Sequence, residues 1–238
     1  MEILKQKDFG ESGTSTWKKV LDNHSVVRKN QIVDVFHEGL EKLEIYSDKI
    51  PSLEEINFKL KDLSGFQGVF VKGLEEGKDF YKLLAERKFP IGNFIRSADD
   101  LNYTPEPDII HDLYGHLPFF IDKEYGDFCQ RFGEAACRFV DEPELFRQFE
   151  RVFWFTIEFG LIKTKDGVRV FGAGIASSIG ECEYSLSDAP EVLPFDIDVV
   201  RKQEFRIDEM QKRLFLLESA QQLYDSLPVL CNKVESER

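Results

Sequence analysis

Two of the four histidines in the sequence, His111 and His116, lie five positions apart in an otherwise apolar stretch. Imidazoles among apolar neighbours need polar partners, and a single metal ion would serve both of them at once. Five positions correspond to about 140° around an ideal helix, whereas the histidines of helical zinc motifs are about one turn apart. To meet one ion, His111 must stand at or just before a helix start, or the helix must be distorted. Two histidines that are satisfied separately are the alternative.

A third candidate ligand is Glu158, which lies in the aromatic-rich segment 152–162. Drawn as a helix, this segment is apolar nearly all round, which indicates burial. A buried carboxylate is costly unless it is paired or binds a metal. Two histidines and one carboxylate leave coordination positions open, as is typical of non-haem Fe(II) oxygen chemistry, and Zn(II) hydrolysis is the competing use of the same ligands. The alternative is a glutamate on a narrow solvent-facing stripe with Thr156.

Arg96 ends an apolar segment just ahead of a polar loop. A lone arginine usually lies on the surface. An arginine that faces a buried site would instead be a receptor for a carboxylate, because its planar fork binds one bidentately. Asp108 is a candidate for holding this fork in place.

Gly172, Gly174 and Ser177 belong to a strand–turn–helix pattern over residues 170–181. The pattern is similar to a dinucleotide-binding fingerprint, but Ser177 stands where the third glycine is needed and no βαβ repeat surrounds it. We interpret the turn as exposed backbone amides and a hydroxyl that receive a small polar ligand. A purely structural turn is the alternative.

The elements that must position these residues are predicted to be mostly helices, with a few short strands. Residues 1–13 are expected to be loose, because they are polar and contain two glycines. A first helix is predicted to begin at the hydroxyl-bearing residues 14–16 and to run through residue 21. Further helices are predicted over residues 27–43, 52–64, 79–87, 122–139, 141–159 and 177–186, followed by a closing helix that ends at residue 227. Strands are predicted at 69–71, in a hairpin over 162–171, near 205–207 and near 214–217, with a tight turn at 172–174.

The composition of the chain limits the classes of protein to which it can belong. A chain of 238 residues with 42% hydrophobic residues fits one large domain with a buried core. The net charge of −13 disfavours nucleic acid and anionic membrane as partners. No apolar stretch is long enough to span a bilayer, and the N-terminus shows no secretory signal. The four cysteines form no C-x-x-C pair, which favours a reducing, cytoplasmic location.

Three blocks of sequence together resemble the pterin-dependent aromatic amino acid hydroxylases. They are residues 96–118 with both histidines, residues 154–161 with Glu158, and residues 172–178 with the Gly-Ser turn. Their order, spacing and identities all fit the family, and the resemblance runs from about residue 73 to residue 227. It is closest to the bacterial phenylalanine 4-monooxygenase members of the family.

The resemblance implies a mostly helical basket, and we expect a single catalytic domain over residues 1–238. Residues 1–70 look helical and too short for a separate regulatory domain, which departs from the broader family pattern. It implies Fe(II) held by His111, His116 and Glu158, with O2 as co-substrate. It implies a tetrahydropterin, similar to tetrahydrobiopterin, that is bound near Phe80 and Asp112. The substrate-binding residues that it implies are Arg96, Thr104, Pro107, Asp108, Trp154, Phe159, Gly174 and Ser177.

The implied reaction is ring hydroxylation of a free aromatic amino acid, with phenylalanine to tyrosine favoured. Trp154 is similar to phenylalanine and tyrosine hydroxylases, whereas tryptophan hydroxylases carry Phe at that place. An apolar Ile207 disfavours tyrosine, but it is also found in tryptophan hydroxylases, so tryptophan or several aromatic amino acids remain the alternative. A Zn(II) hydrolase on the same ligands is a weaker alternative. The resemblance also implies dependence on a pterin-recycling system, and the short polar end after residue 227 favours a monomer.

Overall fold

The structure is a computed structural model that describes residues 4–72, 77–97 and 106–238, except for the side chains of residues 25–27. Helices predominate in these ranges, and short strands form the rest of the regular structure, which confirms the predicted fold class. Contacts between residues divide the chain into two compact units. The first comprises residues 1–30 and 34–134, and the second comprises residues 31–33 and 135–238.

The first unit is built mainly of helices around one pair of strands. The strands β1 (Gln67–Val71) and β2 (Lys88–Gly92) are parallel and are buried over most of their length. The remaining elements are α1 (Gly10–Val27), α2 (Asp34–Leu43), α3 (Leu53–Leu63), α4 (Gly77–Ala85), a π-helix Ile110–His116, a 3-10 helix Leu117–Ile121 and α5 (Lys123–Cys137). The predicted strand at 69–71 and the predicted end of α3 before Gly65, which has a φ of +76°, are confirmed.

The N-terminal segment is more ordered than predicted. The prediction that residues 1–13 are loose is wrong for residues 10–13, because α1 begins at Gly10. The residues before it are also attached, since Leu4 forms a bridge to Phe70. The side chain of Asn93 accepts a hydrogen bond from the Lys7 amide at 3.0 Å and donates one to the Lys5 carbonyl at 2.7 Å. Composition did not reveal these contacts, because their partner lies far away in sequence.

The predicted helix over 27–43 is wrong at its start, because α1 continues through Val27 and α2 begins at Asp34. The intervening backbone is engaged elsewhere: Val33 donates to the Val170 carbonyl, and Val170 donates to the Gln31 carbonyl. A helix through these residues would need the same backbone groups. Further along, α2 packs against the 3-10 helix so closely that a Cβ on Gly39 would lie 2.2 Å from the Pro118 carbonyl oxygen.

The second unit is built around a four-stranded sheet in the order β4-β3-β6-β5. The antiparallel pair β3 and β4 forms the predicted hairpin, while β6 is parallel to both β3 and β5. Its elements are α6 (Pro143–Phe153), a π-helix Trp154–Glu158, β3 (Gly160–Thr164), β4 (Gly167–Val170), α7 (Ala173–Ala176), α8 (Ile179–Ser185), β5 (Glu191–Pro194), α9 (Ile197–Val200), β6 (Arg213–Leu217) and α10 (Ala220–Ser236).

Three predictions for this unit are corrected by the structure. Residues 205–207 form no strand, and β5 was not predicted, because Glu191 and Pro194 break any apolar pattern there. The predicted tight turn at 172–174 runs into the short helix α7. The closing helix continues past residue 227 to Ser236, because Leu230 and Val234 extend its buried stripe beyond Pro228.

None of the helices in the described ranges combines the length and apolar character that crossing a bilayer requires.

Candidate metal centre

His111 and His116 both lie on the π-helix Ile110–His116, at its second and last positions. The i to i+5 hydrogen bonds of a π-helix place more residues in each turn than an α-helix does. Side chains five positions apart therefore come closer to one face, and the centroids of the two imidazole rings lie 5.1 Å apart. The helix is thus distorted, which is one of the two arrangements that the spacing required.

Glu158 is the last residue of the second π-helix, Trp154–Glu158, which continues directly from α6. One ligand atom each from Glu158, His111 and His116 lies within 4.8 Å of the other two. Within the described part of the chain, these three residues form a group that could hold a metal ion. His116 and Glu158 are buried and His111 is partly exposed, so the donor set of two imidazoles and a carboxylate fits an open iron site.

Asp112 fixes the orientation of the His111 ring. Its Oδ1 lies 2.9 Å from His111 Nδ1, and its Oδ2 accepts a hydrogen bond from the Gly92 amide at 2.8 Å. A histidine that donates from Nδ1 to a carboxylate presents Nε2 to a metal, and the carboxylate makes that nitrogen more basic. The structure therefore places Asp112 next to a candidate ligand, a contact that the sequence did not predict.

His116 is held by an aromatic face. Its ring stacks on Phe89 with a centroid distance of 4.4 Å and an interplanar angle of 27°. Phe80, the residue implied to lie near the pterin, contacts Phe89 edge-on, with a centroid distance of 5.9 Å. Phe80 is therefore one aromatic ring removed from His116.

Two glycines allow the backbone to approach Glu158. A Cβ on Gly174 would lie 2.9 Å from Glu158 Oε2, and a Cβ on Gly172 would lie 2.2 Å from the Glu158 carbonyl oxygen. Real Cβ atoms do not approach a backbone carbonyl so closely, so the Glu158 backbone excludes a side chain at position 172. At position 174 a side chain would push against the carboxylate itself.

Arg96 and Asp108 form a buried bidentate ion pair. Asp108 accepts from Arg96 Nε at 2.9 Å and from Nη2 at 2.8 Å. The same carboxylate also accepts from the backbone amide of Arg96 at 2.8 Å and from that of His111 at 3.1 Å. Asp108 is completely buried, and it ties the guanidinium group to the start of the π-helix that carries the two histidines. The predicted support of Arg96 by Asp108 is therefore present in the structure.

The aromatic candidates stack on one another. The Trp154 indole lies 4.5 Å from the ring of Phe159 and 4.5 Å from the ring of Phe205, the latter at an interplanar angle of 14°. Phe205 could not be identified from the sequence, because it lies outside the three family blocks, near a predicted strand at 205–207. Its contact with Trp154 is visible only in three dimensions.

The remaining predicted substrate-binding residues lie in different environments. The Ser177 hydroxyl is buried and donates to the Gly174 carbonyl at 2.9 Å, while the Ser178 hydroxyl caps α8. Pro107 is partly exposed, and a Cβ on Gly92 would lie 2.1 Å from its carbonyl oxygen. Thr104 lies outside the described residues.

A family model for the biopterin-dependent aromatic amino acid hydroxylases matches residues 2–237. The chain belongs to this family, which confirms the resemblance.

Individual relatives are phenylalanine-4-hydroxylases. The enzyme of Caulobacter vibrioides is 37% identical over 218 residues, which are 91% of this chain and 74% of the relative. The enzyme of Chromobacterium violaceum is 36% identical over 213 residues, which are 89% of this chain and 71% of the relative. The crystal structure of the Chromobacterium enzyme with iron(III) and 7,8-dihydrobiopterin matches with a TM-score of 0.92 at 33% identity, over 98% of this chain and 86% of that one. Its structure with iron and phenylalanine matches with a TM-score of 0.90 at 32% identity, over 98% of this chain and 87% of that one.

Proposed function

We propose that this protein hydroxylates free phenylalanine to tyrosine, with Fe(II), a tetrahydropterin and O2. The observation that carries the proposal is the clustering of His111, His116 and Glu158 in a member of this family. The relatives at 35% identity and above that are named phenylalanine-4-hydroxylase support the choice of substrate.

In this proposal His111, His116 and Glu158 are the catalytic iron ligands. Bound iron and reduced pterin together supply the activation of O2 that ring hydroxylation needs. The protein's own contribution is to hold the iron ligands in position. Asp112 holds the His111 ring, Phe89 holds the His116 ring, and three protein ligands leave coordination positions open.

The substrate's carboxylate would be received by Arg96, whose fork is already oriented by Asp108. Because Asp108 balances the charge of the buried guanidinium group and fixes its orientation, the receptor is preorganised. Thr104 and Ser177 complete the polar end of the amino acid site in this proposal.

The aromatic ring of the substrate would lie against Pro107, Trp154, Phe159 and Gly174. The stack of Trp154 on Phe159 supports an apolar wall of the right chemistry for a phenyl ring. The pterin would lie near Phe80 and Asp112. An aromatic side chain is a natural partner for a planar heterocycle.

We further propose that residues 1–238 work as one catalytic domain in a cytoplasmic monomer that relies on a separate system to recycle the pterin. The acidic net charge of −13 supports a protein without nucleic acid or anionic membrane as partner.

The proposed function is tested by incubating the iron-loaded protein with reduced pterin, O2 and, separately, phenylalanine, tyrosine and tryptophan. We expect tyrosine from phenylalanine, with little product from the other two. The position of the new hydroxyl group is read by comparing the product with ortho-, meta- and para-tyrosine standards. Faster turnover of tryptophan would replace the substrate assignment, and no hydroxylated product from any of the three would overturn the function.

A further inference from the structure

The indole of Trp154 is oriented by neighbouring rings rather than by a hydrogen bond. Its Nε1 atom is buried and has no hydrogen-bond acceptor among the described residues. In the other tryptophan of the chain, Trp17, the same atom donates to the Tyr46 carbonyl at 2.8 Å. A hydrogen bond therefore fixes the Trp17 ring, whereas packing must fix the Trp154 ring.

Two phenylalanine rings pack against this indole. Phe159 directly follows the π-helix that begins with Trp154, and its amide donates to the Trp154 carbonyl at 2.8 Å. Its ring is therefore placed by the local backbone, at an interplanar angle of 34° to the indole. Phe205 has the same centroid distance of 4.5 Å and is closer to parallel, at 14°, but it comes from a segment far away in sequence. Only the tertiary structure of that segment can hold Phe205 in the stack.

The segment that carries Phe205 is fixed on both sides of the ring. It connects α9 to β6 without a helix or strand of its own. Just before the ring, Glu204 forms an ion pair with Arg151 on α6. After the ring, the buried side chain of Gln211 donates to the Arg206 carbonyl at 2.6 Å. These contacts hold an irregular backbone in a defined position.

Phe205 is the apolar residue of this connection that faces inward. The two other large apolar residues of the connection, Ile207 and Met210, are 59% and 44% exposed. The ring of Phe205 is only partly exposed and also lies edge-on to that of Phe155, at a centroid distance of 6.3 Å. Phe155 is buried and packs edge-on against Phe215 of β6. A row of aromatic rings therefore runs from the sheet through Phe205 to the indole.

We propose that Phe205 is a positioning residue that determines substrate specificity, because it holds the Trp154 indole in one orientation. The inference rests on the proposed function, in which this indole forms part of the apolar wall around the substrate ring. A wall that cannot yield admits a phenyl ring and resists the larger indole ring of tryptophan. Without the Phe205 ring, the Trp154 indole would keep one stacking partner and could turn to make room for the larger substrate.

The test compares kcat/KM for phenylalanine and for tryptophan in the iron-loaded wild type, Phe205→Ala and Phe205→Leu. We expect the tryptophan-to-phenylalanine ratio to rise by about 3–10-fold in both variants, because each loses an aromatic pair. Phe205→Leu keeps most of the apolar volume and therefore tests the stacking ring itself, even where Phe205→Ala folds poorly. An unchanged ratio in Phe205→Leu would overturn the proposal.

Phe205→Tyr and Phe58→Ala are the matched controls. The first keeps a stacking ring and should restore the wild-type ratio, which the loss of the ring changes. The second makes the same truncation at a phenylalanine of α3 that is 76% exposed, and it should also leave the ratio unchanged. A raised ratio in either control would show that the ratio does not report on the stack, and the proposal would fail.

Fluorine NMR of protein labelled with ring-fluorinated tryptophan gives a readout that does not depend on activity. The two tryptophans give two signals, and Trp154→Phe assigns them. In Phe205→Leu we expect the Trp154 signal to shift or broaden, because the indole samples more orientations. The Trp17 signal should stay in place, which shows that the fold is intact. A Trp154 signal identical to that of the wild type would contradict the positioning role.

The proposed function and the role of Phe205 can fail separately. If the wild type makes tyrosine and Phe205→Leu discriminates as the wild type does, only the role of Phe205 fails. If the wild type hydroxylates none of the three amino acids, the proposed function fails. Calorimetric binding of phenylalanine and tryptophan to the Co(II)-loaded wild type and Phe205→Leu then decides whether Phe205 determines selectivity, and equal selectivity in the two proteins would overturn its role.

Discussion

The two π-helices carry the three candidate ligands, but they hold them in different ways. The helix Ile110–His116 has polar contacts near its start, since Asp108 accepts from its first turn and Asp112 bonds to the ring of His111, and at its end His116 stacks on Phe89. The helix Trp154–Glu158 has Trp154 packed against aromatic rings at its start and two glycines against Glu158 at its end. A hydrogen bond orients His111 and an aromatic stack holds His116, whereas close packing limits where Glu158 can go.

Glu158→Ala removes the carboxylate that the second helix contributes. We expect turnover to be lost and iron affinity to fall by more than the ~10–100-fold that loss of an outer partner costs. Iron content after dialysis and single-turnover product formation measure the two effects. Glu183→Ala, an exposed change on α8, is the control and should behave as the wild type. Wild-type turnover in Glu158→Ala would remove Glu158 from the site.

Asp108→Asn breaks the buried ion pair beside the first helix. An amide cannot replace both carboxylate oxygens that accept from Arg96, so a buried guanidinium group is left undercompensated. We expect the free energy of unfolding to fall by about 3–5 kcal/mol, as when one partner of a buried pair is removed. Urea denaturation measures it, and Asp22→Asn, which breaks an exposed pair with Lys18, is the control. Equal stability of both variants would contradict the structural role of Asp108.

The sequence predicts the three candidate metal ligands better than it predicts the residues that hold them in place. The spacing of His111 and His116 required either a helix start or a distorted helix, and the all-apolar segment singled out Glu158. The π-helical form could not be predicted, because it depends on how the backbone fits its neighbours rather than on local propensity.

Asp112→Asn tests the hydrogen bond that orients His111, and we expect a smaller effect than that of Asp108→Asn. The neutral amide no longer draws the proton of His111 Nδ1 as a carboxylate does, so Nε2 becomes a weaker ligand. We expect iron or cobalt affinity to fall by about 10–100-fold. Calorimetric titration of the metal-free protein with Co(II) gives the affinity without relying on activity. An unchanged affinity would show that Asp112 does not tune His111, and would leave the proposed pterin contact as its remaining role.

Gly174→Ala tests the close packing around Glu158, and its effect should be the smallest of the four site variants. The added Cβ would lie 2.9 Å from Glu158 Oε2 and 3.3 Å from a ring carbon of Phe159, so the carboxylate must shift. Overpacking of this kind costs roughly 1–3 kcal/mol. Because the end of the Glu158 side chain can shift, we expect a cost near the low end, about 1.4 kcal/mol, which corresponds to a tenfold loss of Co(II) affinity. Gly180→Ala is the matched control, because its Cβ would meet only the end of the Met210 side chain at 3.6 Å. If Gly174→Ala raised the Michaelis constant for phenylalanine but left Co(II) affinity unchanged, Gly174 would shape the substrate pocket alone. In that case the absence of a side chain at position 174 would not restrict the position of Glu158, and close packing would differ less from the contacts that orient the histidines on the first π-helix.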